Sequence, residues 1–585
     1  MENGQKTIRD LFEGSKIFNI PKYQRAYAWE KEHLEDFVDD IENQKLDKDY
    51  FFGTILFQEK KEISDDFENI DIVDGQQRIT TLIIFMKLLR DQLKRDGKEI
   101  EIRRLEDRYI CLYGKHKLRV LQDDNDFFKS YILGDNPLSN GNVRTPSQER
   151  LRKAKNYLRQ RLENYKLETL REFKEKIERT KVLTYSVEDA AEATLIFETT
   201  NDRGKTLTNL EKTKSFLMYK TYLVSGNPED HLDTIQNWFG EIYRDYETIR
   251  NRIDDENSIL QYHFIAFEKW NHKSEYQNYV QALKNEVNKL VNNNRSEARD
   301  FIDRYGRELK ESFVTMKELL WDRRPHLLDI FALNRPALFY PLLIKAYKLD
   351  GAVGKQNFKR VAQLVEIICF RIFGIRRRRS TTGRESLYRW TRDFNGNFEE
   401  LINKLKQFVD WYCNNDAFRR YLSSPNFYNE IGSNDKNYLF WKYENHLRAK
   451  EHPIFSEMSH DEFNNRDSRT KFSIEHIIPQ NPKENKVTVG GSESILPEMN
   501  KDFQEEYLHA IGNLTIDPKS ANSSKLNHPF EYKNQNYFRK APLKTQNELI
   551  DFLNQETGRW DNISIQKRQE KILEFALDYW DHKKV

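Results

Sequence analysis

The nine residues FSIEHIIPQ, at positions 472–480, place a carboxylate next to an imidazole at the end of a short apolar run. The first three of these residues predict a strand that ends at Glu475 and His476. Downstream, GNLTI at positions 512–516 predicts a second short strand, and the polar stretch that begins after Pro518 predicts a helix. The order strand, strand, helix therefore frames the Glu-His pair.

The side chains in this frame suit a phosphodiesterase that uses one divalent metal ion. Glu475 and the carboxamide oxygen of Asn522 are hard oxygen ligands, which Mg²⁺ or Mn²⁺ prefers. His476 is then the general base that takes a proton from the attacking water. Asn513 is predicted to bond the other imidazole nitrogen and fix its tautomer, and Lys525 to contact DNA phosphate. An isolated Glu-His pair is more often a surface accident, but this spacing favours a nuclease.

The same order of elements resembles the HNH, or ββα-metal, nuclease finger, in the forms that have asparagine at the last metal position. Glu475 stands where an aspartate is common, which is a conservative change for a metal ligand. About 30 residues separate the two motifs, so an insertion is implied. No Cys-x-x-Cys pair flanks them, which argues against a structural zinc ion.

The motif DGQQR, at positions 74–78, lies where an apolar strand pattern gives way to a helical one. Gly75 lets the backbone approach a ligand closely, and the N–H groups of the new helix attract phosphate. Arg78 is suited to grip phosphate oxygens, and Asp74 to hold a metal or orient water. The sequence therefore predicts a nucleotide site, although a plain Asp-Gly turn explains this stretch equally well when it is taken alone.

A second polar motif, FETTNDRGKTL, occupies positions 197–207. Its loop carries three side chains that are predicted to bind the same nucleotide: Asn201, Arg203 and Lys205. Thr208 and Glu211 form a predicted capping box for the next helix. An ordinary connection between two helices, with solvated charges, is the alternative.

A third motif, IPKYQRAYAW at positions 20–29, mixes aromatic rings with an amide and a guanidinium. Tyr23, Gln24 and Arg25 are predicted to contact DNA by stacking, hydrogen bonding and phosphate contact. Two alternatives stay open. One is an aromatic core cluster, which we favour for Trp29, and the other is a role in shaping the nucleotide pocket.

Together these motifs resemble the GmrSD-type, modification-dependent (type IV) restriction family, in the single-chain form of the BrxU and SspE proteins. The resemblance rests on DGQQR at 74–78, EHIIPQ at 475–480 and GNLT at 512–515. It implies a ParB-like α/β domain that binds and hydrolyses a nucleoside triphosphate (GTP, ATP or UTP), and an HNH endonuclease. The nucleotide motif comprises Asp74, Gly75, Gln76, Gln77 and Arg78.

The resemblance also implies what the protein acts on. The expected target is DNA in anti-phage defence, carrying hydroxymethyl- or glucosyl-cytosine, or phosphorothioate-marked DNA made by a partner modification system. A homodimer is a further expectation. Two other function classes stay open: a nucleotide-driven DNA sensor with a vestigial nuclease site, and an RNA-directed nuclease.

The middle of the chain predicts helices, because apolar residues recur at spacings of three and four in stretches such as 232–249. It also contains four adjacent arginines, at 376–379, of which Arg376, Arg377 and Arg378 are predicted to contact DNA. A solvated face is the alternative for such a run. The predicted fold is α+β and predominantly helical. Its predicted domains are 1–220 (nucleotide), 221–440 (helical linker and DNA contact) and 441–585 (nuclease).

Composition narrows the class of protein further. The chain has 585 residues, of which 32% are charged and 13% aromatic, yet its net charge is only +2. Contacts with nucleic acid must therefore come from local patches. Three widely spaced cysteines indicate a reducing compartment. With no signal-peptide pattern and no apolar run long enough to span a bilayer, we expect a cytoplasmic protein without a membrane partner.

Overall fold

The protein is described by a computed structural model that covers residues 4–22, 24–45, 50–64, 67–135, 142–187, 208–226, 228–253, 255–451, 456–464, 471–480, 486–489, 492–495, 501–525 and 527–585. It is predominantly helical with a small mixed sheet, which agrees with the predicted α+β class. It packs as two compact units, residues 1–264 with 270–320 and residues 265–269 with 321–585. Within the described ranges, no helix is long and apolar enough to cross a membrane.

The strands of the first unit are β1 Gly4–Thr7, β2 Lys16–Asn19, β3 Phe51–Ser64, β4 Phe67–Asp74, β5 Cys111–Leu112, β6 Lys115–His116, β7 Leu118–Arg119 and β8 Lys181–Val187. Six of them form a mixed sheet in the order β1-β8-β3-β4-β2-β7. The β3–β4 and β1–β8 pairs are antiparallel, and the other three pairs are parallel. The remaining two, β5 and β6, form a small hairpin.

The helices from the N-terminus to residue 321 are α1 Ile8–Leu11, α2 Lys31–Asn43, α3 Gln76–Leu93, α4 Glu99–Leu105, α5 Gln122–Phe127, α6 Pro146–Glu163, α7 Leu167–Arg179, α8 Asn209–Val224, α9 Pro228–Ile249, α10 Glu256–Phe267, α11 Lys273–Gln277, α12 Tyr279–Asn293 and α13 Arg295–Trp321. Helix α3 is buried almost all round and lies in one core with the inner residues of β3 and β4. The strand and helix predicted on either side of DGQQR are therefore confirmed.

The capping box predicted for α8 is also confirmed. Glu211 N donates to Thr208 Oγ1 at 3.2 Å, and Thr208 N donates to Glu211 Oε2 at 2.9 Å. These two bonds satisfy backbone donors that the first turn of a helix leaves without an intrahelical partner. They fix where α8 begins, immediately after the second polar motif.

The helices after residue 321 are α14 Pro325–Ala332, α15 Tyr340–Leu349, α16 Gln356–Ile368, α17 Arg384–Asp393, α18 Phe398–Cys413, α19 Asn415–Leu422, α20 Phe427–Glu430, α21 Ser433–Lys450, α22 His460–Phe463, α23 Lys501–Glu506, α24 Lys519–Lys525, α25 Phe530–Asn536, α26 Lys544–Asn547 and α27 Asn562–Tyr579. The helices predicted for the middle of the chain are present. Residues 221–440 contribute to both units, and the functional division at 220 and 440 stays a prediction.

The strands of the second unit are β9 Phe472–His476, β10 Lys486–Val489, β11 Ser492–Ile495 and β12 Leu514–Pro518. Strands β9 and β12 pair antiparallel, with Glu475 opposite Thr515 and His476 opposite Leu514. Helix α24 follows β12 directly. The predicted order strand, strand, helix is therefore confirmed, and it brings the two C-terminal motifs side by side.

The GNLT motif is held from behind by helix α27. A Cβ atom on Gly512 would lie 2.1 Å from the carbonyl oxygen of Ile565, so only glycine fits at this crossing. Arg568, which is fully buried, donates to the carbonyls of Gly512 and Leu514 at 2.9 and 2.5 Å. These contacts fix the backbone from which β12 starts.

Candidate functional site

The imidazole of His476 lies at the end of β9 and has a neighbour at each nitrogen. Nδ1 lies 3.0 Å from Gln480 Nε2, and Nε2 lies 3.2 Å from Nδ1 of His509. The Tyr428 ring packs edge-on at 4.4 Å between centroids, and it stacks on His509. The ring is thus oriented by two hydrogen-bonding side chains and one aromatic ring.

Burial sets the charge of this histidine. Burial, and after it the neighbouring His509, Lys533 and Lys436, together lower the pKa of His476 to about 3. Burial and Lys436 also lower the pKa of His509. Both rings are therefore neutral near pH 7. A neutral imidazole is the form that can accept a proton, so the protonation state of His476, though not its low pKa, agrees with its predicted role as a base.

Glu475 points into a second, more enclosed environment. Lys533, on α25, donates from Nζ to Glu475 Oε1 at 2.5 Å and to the carbonyl of His476 at 2.8 Å. Both side chains are almost completely buried. Burial raises the pKa of Glu475, and Lys533 opposes that change. The carboxylate predicted to bind a metal is therefore already paired with an ammonium group.

Asn522, the second predicted metal ligand, lies beside the same strand. Its Nδ2 donates to Ser473 Oγ at 2.9 Å and to the carbonyl of Ile474 at 3.3 Å. Residues two positions apart on a strand share a face, so Ser473 and Glu475 lie on the same face of β9. The bond from Asn522 to Ser473 therefore joins helix α24 to the face that carries Glu475. The structure brings the two predicted metal ligands to the same side of the β9–β12 pair.

The donor chemistry at this place fits a hard divalent ion. In the described ranges no group of three or more His, Cys, Asp or Glu side chains could hold a metal. One carboxylate and one carboxamide oxygen remain as donors, from Glu475 and Asn522. A sparse set of this kind suits Mg²⁺, which keeps several water ligands and binds substrate phosphate.

Two predictions at this site are wrong. Asn513 does not contact the imidazole: its Oδ1 accepts from Ile478 N at 3.0 Å, and its Nδ2 donates to the carbonyls of Leu508 and Ile478. Asn513 is fully buried, so its amide must form its hydrogen bonds with nearby backbone groups. Asn513 fixes the loop after β9 and orients no ring.

The second wrong prediction concerns Lys525. It was expected to reach DNA phosphate, but it is 2% exposed and donates to Asp517 Oδ2 at 2.7 Å and to Gln546 Oε1 at 3.2 Å. A buried carboxylate on β12 needs a charge partner, and Lys525 is the nearest one on the helix that follows. Lys525 is therefore part of the interior and does not reach DNA.

In the first unit, the structure brings two of the predicted motifs together. Gln24 Nε2 donates to the carbonyl of Val73 at 2.6 Å, and Gln76 Nε2 donates to Gln24 Oε1 at 3.3 Å. Gln77 accepts from Ala28 N at 2.8 Å and donates to the carbonyl of Ala26. The glutamines of DGQQR thus hold the segment 24–28, which favours a role for that segment in shaping the pocket. Gln24 was expected to contact DNA, and its amide is engaged here instead.

The DGQQR motif forms the predicted strand-to-helix turn. Gly75 precedes α3 with φ of +94°, a conformation that favours glycine, and a Cβ there would lie 3.1 Å from Ile55. Burial raises the pKa of Asp74, and Arg78 opposes that change. Arg78 lies 3.6 Å from Asp74 and donates to the carbonyls of Phe52 and Thr54 at 3.0 and 2.7 Å. In this structure Arg78 therefore braces β3, and its phosphate contact stays a prediction.

Among the described residues, further charges near this turn include Glu211 on α8, which acts on Asp74, and its partner Arg25 from the third motif. Arg25, expected to contact DNA, lies 3.5 Å from Glu211 and 3.9 Å from Glu256. Lys214, one turn along α8 from Glu211, is buried, and burial lowers its pKa to about 7. Four predicted site residues lie outside the described residues: Tyr23, Asn201, Arg203 and Lys205. Trp29, predicted to belong to an aromatic cluster, packs on Phe37 and against the core.

The arginine run is on the surface. Arg377 and Arg378 are exposed and Arg376 is half-buried, in the turn between the helical segment Cys369–Ile375 and α17. By contrast Arg371, just before the run, is fully buried and donates to the carbonyls of Trp580 and Cys413. The exposed members are placed where a DNA backbone could reach them.

Sequence reasoning missed three residues at the C-terminal site: His509, Lys533 and Tyr428. His509 stands three positions before Gly512, next to a recognised motif, so its position carried a weak signal. Lys533 and Tyr428 come from elements far from either motif in the chain, and no local pattern marks them. Only the packing of α20 and α25 brings them to β9.

Comparison with known protein families finds two matching domain models. The family model for the N-terminal domain of GmrSD restriction endonucleases matches residues 8–218, and the model for the C-terminal domain matches residues 412–575. The two matches together span more than half of the chain. No curated protein matches it.

Proposed function

Because the chain belongs to the GmrSD restriction endonuclease family, we propose that it is a metal-dependent HNH endonuclease that cuts DNA at His476 and hydrolyses a nucleoside triphosphate at the DGQQR turn. Membership of this family by itself supports a DNA endonuclease in phage defence. The proposal adds the class of the nuclease site, its metal ion, the nucleotide and a modified DNA target.

The observation that carries the proposal is the neutral, oriented imidazole of His476 at the end of β9. Hydrolysis of a phosphodiester needs a group that takes a proton from water as the water attacks phosphorus. His476 can do this with one ring nitrogen while Gln480 or His509 holds the other. For one ring nitrogen to accept the proton, a water molecule must replace the neighbour that now contacts that nitrogen.

The acidic side of the site would hold the metal ion through Glu475 and Asn522. When bound, Mg²⁺ or Mn²⁺ supplies positive charge to the phosphate oxygens and to the leaving oxygen. The antiparallel β9–β12 pair and α24 keep the carboxylate, the carboxamide and the base within one short stretch of structure. This compactness is what supports the HNH assignment.

The nucleotide part of the proposal rests on the DGQQR turn. The first turn of α3 offers backbone N–H groups beside Asp74, and Gly75 leaves room for close approach of phosphate. On the side of α8, Arg25 is paired with Glu211 and Glu256, and Lys214 is buried; a bound phosphate would favour the charged form of Lys214. A ParB-like domain that binds GTP, ATP or UTP is consistent with these groups. The exposed arginines at 376–378 are proposed to bind the DNA backbone.

The test is cleavage of three matched DNAs, unmodified, glucosylated and phosphorothioated, each with and without nucleotide and with Mg²⁺ or Mn²⁺. We expect metal-dependent cutting that responds both to a modification and to the nucleotide. An Asp74→Asn variant should lose nucleotide hydrolysis and keep basal nicking, because the two motifs lie in different compact units. Purified wild-type protein that cuts none of the three DNAs would overturn the proposal.

A nucleotide-driven DNA sensor with a vestigial nuclease site is the second candidate. It is favoured by one observation, the ion pair that already neutralises Glu475. In that case the wild-type protein would bind DNA and hydrolyse nucleotide with no cutting at any metal concentration. The same three substrates distinguish the two functions, and RNA of matched sequence tests an RNA target.

A further inference from the structure

We propose that Lys533 is a built-in cation that occupies the metal-binding position of Glu475, so that a divalent ion binds only by displacing this ammonium group. The inference rests on the proposed function, in which Glu475 is a metal ligand. It adds a regulatory residue that neither motif contains. Lys533 thereby sets how much Mg²⁺ or Mn²⁺ the site requires.

The contacts of Lys533 are those of a group held in a defined place. Nζ donates to Glu475 Oε1 at 2.5 Å and to the carbonyl oxygen of His476 at 2.8 Å. Its side chain is 1% exposed, and that of Glu475 is 8% exposed. Carboxylate and carbonyl oxygens are also the groups that bind hard divalent ions in proteins. The ammonium group of Lys533 therefore has the surroundings of a bound metal ion.

The ammonium group of Lys533 and a divalent ion cannot both bind Glu475, because their charges repel. A buried carboxylate carries a single negative charge, and one ammonium already neutralises it. A divalent ion brought to the same oxygen would lie close to Lys533 with no solvent between them, and like charges at such a distance repel strongly. Either the ammonium moves away or the ion stays weakly bound.

The chain offers a matched comparison at Lys525. It is a second buried lysine in the same domain, 2% exposed, and it is paired with the 2% exposed Asp517 at 2.7 Å. Lys525 makes no contact with Glu475 among the hydrogen bonds and ion pairs of the described residues. The two lysines therefore differ in which carboxylate they bond directly, while their burial is nearly equal. The charge of Lys525 also acts on Glu475, but as a weaker influence than the bonded Lys533.

The first experiment measures Mn²⁺ binding by titration calorimetry, without DNA, for the wild type, Lys533→Met and Lys525→Met. We expect Lys533→Met to bind Mn²⁺ at least about tenfold more tightly than the wild type. Lys525→Met should differ from the wild type far less. A Lys533→Met protein that melts normally and binds Mn²⁺ no more tightly overturns the inference. Absence of binding in all three proteins, also at high Mn²⁺, would instead contradict the metal part of the proposed function.

The second experiment needs no variant and covers the case in which Lys533→Met fails to fold. Amine acylation of the wild type is followed residue by residue by mass spectrometry, with and without Mn²⁺. Displacement predicts that Lys533 becomes reactive as Mn²⁺ saturates the site, while Lys525 stays protected throughout. Equal protection of Lys533 at zero and saturating Mn²⁺ contradicts displacement.

Discussion

Nε2 of His476 lies 3.2 Å from Nδ1 of His509, so the proposed general base is in direct contact with a second neutral imidazole. One of the two nitrogens must carry the shared proton. The contact therefore couples the tautomer of His476 to that of His509. His509 orients the base and does not itself need to reach the phosphate.

This contact predicts the effect of changing His509. In His509→Phe the ring that stacks on Tyr428 is kept and the hydrogen bond is lost, so we expect kcat for DNA cleavage to fall about ten- to hundredfold. KM and the melting temperature should change little. Asn places a polar atom close to the position of Nδ1, so His509→Asn should restore part of the rate. If both variants lose the same activity together with thermal stability, His509 is merely structural.

Asn513 predicts a loss of stability with little direct effect on chemistry. Its amide makes three hydrogen bonds to the backbone of Leu508 and Ile478, so Asn513→Ala leaves buried polar groups without partners. Each such group costs about 1–3 kcal/mol of unfolding free energy. Chemical denaturation should report that loss. Cleavage measured well below the melting temperature should stay near the wild-type rate, whereas a large fall in rate there would contradict a purely structural role for Asn513.

The buried imidazole of His476 predicts a pH dependence of stability. Its pKa is about 3 in the folded protein and 6.5 in an ordinary environment. Because the unfolded chain binds the proton first, this histidine stabilises the fold fully above about pH 6.5, and the contribution is lost as pH falls toward 3. Melting temperatures of the metal-free protein should therefore fall on acidification more steeply for the wild type than for His476→Gln. Parallel curves for the two proteins would contradict the burial of a neutral imidazole.

The arginine turn predicts the salt dependence of DNA binding. A double change of Arg377 and Arg378 to Gln should weaken binding of all DNA sequences alike. Each lost phosphate contact should lower the slope of log K against log salt by about 0.9. Arg389→Gln is the control, because Arg389 is exposed but paired with Glu385 at 2.8 Å. An unchanged slope in the double variant would make the run an ordinary solvated face.

Much of the local structure was predictable because it depends on short stretches of sequence. The strand before Glu475, the strand of GNLT and the helix after Pro518 follow from apolar runs and a proline. The turn at Gly75 and the capping box at Thr208 are likewise local, since a glycine and a Ser/Thr–Glu spacing each encode one geometry. At such places local preference and the final fold agree.

The partners of the polar side chains could not be predicted in the same way. Asn513 and Lys525 carry chemistry that suits a ring and a phosphate, but both side chains point into the interior, where buried donors must be satisfied nearby. Lys533 lies 58 residues beyond Glu475, so its contact depends on how α25 packs on β9. Sequence identifies which groups are available, and packing decides which of them meet.

Replacement of His476 tests the central claim most directly. Cleavage of susceptible DNA by wild type and His476→Ala is measured with saturating Mg²⁺ or Mn²⁺, alongside nucleotide hydrolysis and thermal melts of the same samples. The account predicts that DNA cleavage by His476→Ala falls about 10²- to 10⁴-fold, while nucleotide hydrolysis and the melting temperature stay close to those of the wild type. Cleavage by His476→Ala at close to the wild-type rate would contradict the assignment of this site as the nuclease.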